Sequence, residues 1–371
     1  MNPDIQATRN SPPTFLRPAE NCGAVWTSSF RAVTRFPTAH SNCSNACGKP
    51  PGPYRKRSQA RNVCPFLLGT LTQPRDRLLL QCLGVIEMYK PTVLITGATD
   101  GLGKAAALFL AQRGYAVFAA GRSAEKRERL EREAHQEHLP IQTLEMDVRD
   151  QASVQITVQR VLDKGGGIDV LINNAGVGYM GVVEELLTAD VRQQFETNVF
   201  GVLSVTQAVL PHMRQRKKGR IVMMSSATGL ISPPTYGAYA ASKHALEGLS
   251  NALRLEMFPF GVHVILIEPG YIHTSFQQTA KELARTRIEN AKSSPYAKVY
   301  AGAWAGAEQG RGRSKTSPED CARVILKAIE APHPKARYPV TALTKWLSIG
   351  KRILPDTILD RIMRKRFAIA K

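Results

Sequence analysis

The sequence predicts a doubly wound α/β fold, a parallel sheet with helices on both faces, and three observations predict it. Short apolar runs alternate strictly with helix-length segments between residues 92 and 341. Those runs are almost continuously hydrophobic, as strands covered on both faces must be. A glycine-rich turn joins the first run to the first helix, at the junction where such folds bind ligands.

The elements run in order along the chain. Val93-Leu94-Ile95, bounded by Pro91 and Gly97, reads as a buried strand. Leu102–Arg113 has helical spacing and stops at Gly114, a C-terminal cap. Val117–Ala120 is a second strand and Ala124–His138 a charged, solvent-facing helix. Ile141–Met146 is a third strand, with a helix over 151–162 behind it. Ile168–Ile172 is the fourth, followed by a long helix over 189–214. Arg220–Ser225, a helix over 238–258, and Val262–Ile267 complete six strands, and Tyr338–Thr341 offers a seventh. Between the sixth strand and the Ser317-Pro318 helix start lies a polar, partly helical stretch, 271–316, expected to be a lid with a flexible Gly310–Arg313 segment.

The first 87 residues differ from the rest. They hold five of the six cysteines and ten of the 23 prolines, with 11 basic and 4 acidic residues and no sustained hydrophobic period. Three readings compete: a basic transit-like leader, opposed by the many prolines; a metal knuckle on His40, Cys43 and Cys47, which lacks a second ligand pair at zinc-like spacing; and an upstream stretch without folded role. The last is preferred, with Met88 as working start, because the first strand begins a few residues later. The expected domain is then 88–341, with a basic tail over 342–371. One cysteine in that domain, Cys321, is compatible with a reducing, cytoplasmic setting. The net charge of +20 over 371 residues permits an anionic partner. No nucleic-acid module or aromatic-basic interleaving accompanies it, so no nucleic acid is expected. No metal site is expected in the domain, and no apolar stretch reaches membrane-spanning length.

Gly97, Thr99, Gly101, Leu102 and Gly103 lie in the G-x-x-x-G-x-G turn. Glycines there permit a tight turn and close backbone approach, and a helix N-terminus receives pyrophosphate. An acid closing the second strand would bind the ribose of NAD. This chain has Arg122 and Ser123 instead, a guanidinium and a hydroxyl suited to a 2′-phosphate. NADP(H) is therefore expected over NAD(H).

Tyr239 and Lys243 are four apart on one predicted helix. A neighbouring ammonium is expected to lower the phenol pKa and equip Tyr239 as general acid or base. Ser226, just past the fifth strand, is placed to donate to a developing alkoxide. Asn198, inside the long helix, has poor helix propensity and is a candidate to bind water or a carbonyl.

Together with Asp147-Val148, Asn173-Asn174-Ala175-Gly176 and Pro269-Gly270-x-Ile272-x-Thr274, these pieces resemble the short-chain dehydrogenase/reductase family, densely over 91–275. Its hydroxysteroid and retinol dehydrogenase-like members are the nearer likeness. The resemblance implies a Rossmann fold, catalysis by Asn198, Ser226, Tyr239 and Lys243, and a nicotinamide cofactor. Tyr239 would be the acid/base, Ser226 would polarise the carbonyl, Lys243 would hold the nicotinamide ribose, and Asn198 would hold a relay water. Asp147 and Val148 would border adenine; Asn174, Ala175 and Gly176 would line the groove; Pro269, Gly270, Ile272 and Thr274 would meet the nicotinamide end. The chain departs from some NADP-preferring members in carrying Asp100, where they have a base before the second motif glycine. The resemblance also implies a homodimer or homotetramer.

Tyr179 and Met180, with the segment 231–236 and Phe276, form an apolar, aromatic set facing the expected substrate. Such a set suits a lipid-, steroid- or retinoid-like alcohol or ketone. Residues 342–371 carry eight basic and two acidic residues, and Ile358, Leu359, Ile362 and Met363 share one helical face. That helix suits either peripheral membrane contact or, the preferred reading, packing over the cleft with its charges in water. A non-catalytic NADP sensor on the same scaffold is the rival function.

Overall fold

The computed structural model describes residues 90–313, 315–367 and 369. The proposed leader and the His40, Cys43 and Cys47 knuckle lie outside these residues.

Seven parallel strands form one sheet in the order β3-β2-β1-β4-β5-β6-β7. They are β1 (Thr92–Thr96), β2 (Ala116–Gly121), β3 (Ile141–Glu145), β4 (Val170–Asn173), β5 (Gly219–Met224), β6 (Val262–Glu268) and β7 (Arg337–Pro339). The helices are α1 (Gly101–Ala111), α2 (Ala124–Gln136), α3 (Gln151–Gly165), α4 (Thr188–Phe195), α5 (Gly201–Gln215) and α6 (Gly237–Glu256). They continue as α7 (Ser275–Leu283), α8 (Arg285–Asn290), α9 (Ala297–Arg313), α10 (Pro318–Glu330), α11 (Ala342–Ile353) and α12 (Asp356–Arg366).

Alternate residues of each central strand feed two cores. Val93, Ile95, Ile172, Val222 and Ile265 pack with α1 and α10 on one face. Leu94, Leu171, Ile221, Val264 and Leu266 pack with α3, α5 and α6 on the other. Each such side chain, taken fully from water, contributes about 1.5–3 kcal/mol. The chain reverses its winding between β1 and β4, and that opens a crevice at the carboxyl edge of the sheet.

Three expectations change. The long helix over 189–214 is α4 and α5 joined by a π turn, Glu196–Phe200, with Asn198 at its centre. The Gly310–Arg313 segment is helical, the last turn of α9, because the helical pattern before it carries through two tolerated glycines. The tail holds two helices rather than one. Of the four apolar residues read as one face of α12, Leu359 and Met363 are half-buried while Ile358 and Ile362 are exposed.

Candidate active site

The turn after β1 is shaped by contacts only glycine allows. Gly97 has φ of +62°, and a Cβ on it would stand 2.8 Å from Cα of Ala175. A Cβ on Gly103 would stand 2.3 Å from Nδ2 of Asn174 and 2.4 Å from the Gly97 carbonyl. Asn174 is the clasp: its Nδ2 donates to the carbonyls of Thr96 and Gly97 at 3.0 and 2.9 Å. Thr96 Oγ1 in turn accepts from the amides of Asn174 and Ala175. Asp100 caps α1, accepting from the Gly101 amide at 2.8 Å.

Beside this turn lies a cleft of about 480 Å³, lined by Gly97, Thr99, Asp100, Arg122, Ser123, Lys126, Asp147, Val148, Ala175 and Gly176 among others. Its shape and donors fit a dinucleotide: glycine backbone at one wall, cations at one end. Arg122 reaches in from the end of β2, its Nη1 3.8 Å from Asp147. Asp147 is bound more closely by Arg149, at 2.6 Å. Hydrogen bonds from Arg149 hold its carboxyl below the usual range, against burial. Ser123 caps α2 and accepts from the Lys126 amide.

Lys126, which sequence reading missed, brings a second cation to the cleft, where its Nζ meets Asp100 at 2.5 Å. Burial pushes the Asp100 carboxyl up, and hydrogen bonds from Lys126, Ser275 and the Gly101 amide outweigh it, so the group sits below its ordinary value. The acid that departs from the base-bearing pattern is thus matched by a lysine from the first turn of α2.

Further along the sheet edge, Ser226 follows β5 and Tyr239 and Lys243 occupy the first turns of α6. Ser226 and Tyr239 share a hydrogen bond between side chains. Lys243 Nζ lies 5.7 Å from the Tyr239 ring centre and donates to the Met224 carbonyl at 2.7 Å. Its burial lowers the lysine pKa to about 8, partly opposed by Glu247 one turn on. Glu247 accepts from Ser225 Oγ at 2.5 Å and pairs with Arg337 of β7, which also binds Glu268 at 2.6 Å. No spacing signal links β7 to α6, so this network was not legible in the sequence.

The expected lowering of the Tyr239 pKa does not occur in this structure. Burial raises it, the Ser226 hydrogen bond pulls it partly back, and nearby Tyr236 adds to the rise. The physical reason is that Lys243 points its Nζ at a main-chain carbonyl and is itself close to half-charged near pH 8.

Asn198 is fully buried and wholly engaged. It exchanges two hydrogen bonds with the backbone of Val177, each 2.9 Å, and donates to Ser242 Oγ at 3.1 Å. Gln194, also missed from sequence, accepts from the Tyr179 amide at 2.6 Å. These amides fix the loop that carries Gly176 to Met180.

The remaining sequence candidates are placed unevenly. Phe276, in the first turn of α7, packs against Tyr239 in a tilted arrangement, ring centres 5.5 Å apart and planes at 49°. Thr274 caps α7 and stands over Gly101; Leu102 packs against one core and Ile272 is buried in it. Pro269 accepts from the Ala227 amide at 2.8 Å, and Gly270 receives Thr341, the cap of α11. Met180 is buried in a small lid cluster with Ala280, Ala284, Tyr236 and Ile288. Tyr179 lies within electrostatic reach of Arg149, towards α3 and α4. The 271–316 segment is tied to α4 by Arg287 on Asp190 at 2.7 Å and to the β4–α4 loop by Tyr300 on Glu185 at 2.7 Å. Among the described residues no cluster has the makings of a metal site, and no helix is long and apolar enough to cross a membrane.

A Rossmann sheet with a cleft at its glycine turn, and a Ser–Tyr–Lys set further along the chain's carboxyl-edge loops, are the features of the CH–OH class of oxidoreductases. The short chain dehydrogenase family matches residues 91–284. The chain is 36% identical over 282 residues to an uncharacterized oxidoreductase, YusZ, of Bacillus subtilis, covering 75% of this chain and 99% of that one. It is 33% identical over 283 residues to a 3-ketodihydrosphingosine reductase of Bacteroides thetaiotaomicron, covering 76% and 100%. It is 35% identical over 260 residues to human 17-beta-hydroxysteroid dehydrogenase type 1, covering 68% and 78%. A short-chain dehydrogenase/reductase of Burkholderia phymatum in complex with NAD has the same fold, with a TM-score of 0.62 at 26% identity over 74% of this chain and 96% of that one. An actinorhodin polyketide ketoreductase with NADPH gives 0.58 at 29%, over 68% and 95%. This chain belongs to the short-chain dehydrogenase/reductase family.

Proposed function

We propose that the protein is an NADP(H)-dependent oxidoreductase that interconverts a ketone or aldehyde and an alcohol on a small apolar, lipid-like substrate. The observation that supports this is the convergence of Ser226, Tyr239 and Lys243, together with a separate cleft at the glycine turn whose lining includes Arg122 and Lys126.

When bound, the nicotinamide supplies or accepts the hydride. Gly97, Thr99, Gly101 and Gly103 hold its pyrophosphate, Asp147 and Val148 flank the adenine, and Ile272 and Thr274 close over the nicotinamide end. Arg122, Ser123 and Lys126 receive a 2′-phosphate, Lys126 leaving Asp100 to do so. Two cations at one end of the cleft favour NADP(H) over NAD(H).

In the reductive direction Tyr239 Oη gives its proton to the substrate oxygen as negative charge develops there. Ser226 Oγ donates a hydrogen bond to the same oxygen. Lys243, its Nζ 5.7 Å from the Tyr239 ring centre, would hold the nicotinamide ribose beside the reacting hydroxyl. A phenol held protonated by burial is equipped for this direction. Asn198 uses its side chain to fix the Val177 loop, so a relay water would fall to its main-chain carbonyl.

The apolar character of the substrate is supported by Phe276 on Tyr239, by the lid cluster around Met180, and by relatives named for a ketosphingoid and a hydroxysteroid. Exposed Phe200, Leu203 and Leu249 support a homodimer or homotetramer. Buried Cys321, its thiol pushed up to about 12 by burial, is compatible with a cytoplasmic setting.

The test is reduced-nicotinamide absorbance with a panel of apolar ketones and aldehydes, NADPH and NADH in parallel, and Tyr239→Phe as the reference. The wild type should turn over at least one carbonyl, faster with NADPH. The variant should lose about 10²–10⁴-fold in kcat while keeping its fold. Absence of turnover on every carbonyl favours the sensor, and faster use of NADH overturns the cofactor assignment.

A further inference from the structure

Helix α11 presents its apolar residues outward. Trp346 is 75% exposed, Ile353 74% and Ile349 56%, with Leu343 beside them. At ~100° per residue these four fall within an arc of roughly 120°. The opposite side meets the protein through Thr344, which is buried, and through half-buried Leu347 and Ser348. An ordinary surface helix has the reverse arrangement, apolar side in and polar side out. A tryptophan and three aliphatics on one exposed stripe therefore mark a surface that something covers.

Charge selects what covers it. Lys345 flanks the stripe on α11, and Arg361, Arg364, Lys365 and Arg366 are exposed on α12. Residues 342–371 hold eight basic residues against Asp356 and Asp360. A second copy of a chain with net charge +20 would bring the same cations against this patch, with like-charge repulsion. An anionic bilayer supplies the opposite charge to the lysines and arginines and an interfacial zone for the indole. The geometry is that of a helix lying in the membrane plane, apolar face inward to the lipid and cations at headgroup level.

We propose that α11, with the basic α12 that follows it in the chain, is a peripheral docking surface for anionic lipid bilayers. This surface takes no part in the reaction, so docking and catalysis fail separately.

The test is co-sedimentation of the full chain with phosphatidylcholine vesicles containing about 30% phosphatidylserine, and with pure phosphatidylcholine vesicles, at low and high salt. The variants are Trp346→Glu with Ile349→Glu, both on the exposed stripe, and Lys345→Glu with Arg361→Glu. Circular dichroism and carbonyl reduction in vesicle-free buffer serve as controls for folding. The wild type should bind the anionic vesicles, at least tenfold more tightly than neutral ones, and release in salt. Each pair of substitutions should weaken binding at least tenfold with the fold intact. Equal binding by wild type and the Trp346→Glu/Ile349→Glu variant would overturn the proposal, as would no binding to anionic vesicles. A wild-type oligomer that the same variant dissociates, without any lipid binding, would assign the stripe to a second copy instead.

Discussion

Lys243→Met should make the protein more stable while disabling it. Lys243 is 5% exposed and its pKa is lowered to about 8 by burial. Keeping that ammonium charged at pH 7, against an ordinary value of 10.5, costs about 3 kcal/mol. Methionine has similar length and removes the cost. It also removes the 2.7 Å bond to the Met224 carbonyl, worth about 1–2 kcal/mol once that carbonyl is left without its partner. Glu247 keeps Ser225 and Arg337. The net expectation at pH 7 is a gain of about 1–2 kcal/mol in urea unfolding. The sign with pH comes from proton uptake. Between about 8 and 10.5 the unfolded wild type binds more protons than the folded one, so wild-type stability rises with pH. The variant lacks this rise, and its advantage should shrink by up to about 1.4 kcal/mol per pH unit through that window. Parallel urea titrations at pH 7, 8 and 9.5 measure it. A variant less stable than wild type at pH 7, or a difference independent of pH, would refute the picture of a lysine held against its desolvation.

Two further expectations are direct. Arg122→Ala and Lys126→Ala should each raise the KM for NADPH about tenfold, in line with one charge-assisted bond to phosphate, and leave the KM for NADH nearly unchanged; an equal loss with both cofactors would remove the 2′-phosphate assignment. Gly103→Ala should lower the melting temperature and abolish dinucleotide binding, because its methyl would meet both Asn174 and the Gly97 carbonyl; unaltered nucleotide protection in thermal unfolding would show that the turn relaxes without cost.

Much of this molecule is written locally in the chain. Most of the six strands are nearly continuous apolar runs, the edge strand β3 (IQTLE) being the exception, and helix-length segments separate them, so the alternation yields the sheet and its parallel sense. The glycine turn and the four-residue step from Tyr239 to Lys243 are likewise short-range patterns. What sequence spacing leaves out are meetings between distant elements. Lys126 reaches Asp100 across the first crossover, and Arg337 binds Glu247 from 90 residues away. The protonation of Tyr239 depends on burial and on where the Nζ of Lys243 points, which a helical wheel does not contain. Asn198 was legible as an odd helix residue; its bonds to Val177 and Ser242 were not, because they depend on how the rod is wound.

That winding has a consequence of its own. A π turn is one residue inserted into a helix, and it rotates the later turns by ~100° relative to the earlier ones. The stretch from Thr188 to Gln215 can therefore turn Gln194 towards the Tyr179 loop at one end and set Val202, Val205 and Val209 against the sheet at the other. A uniformly wound rod would keep a single heading along its length. The surplus residue works as a fixed elbow, and by it the core-packing half of the rod and the half that holds the Tyr179 loop answer to separate steric demands.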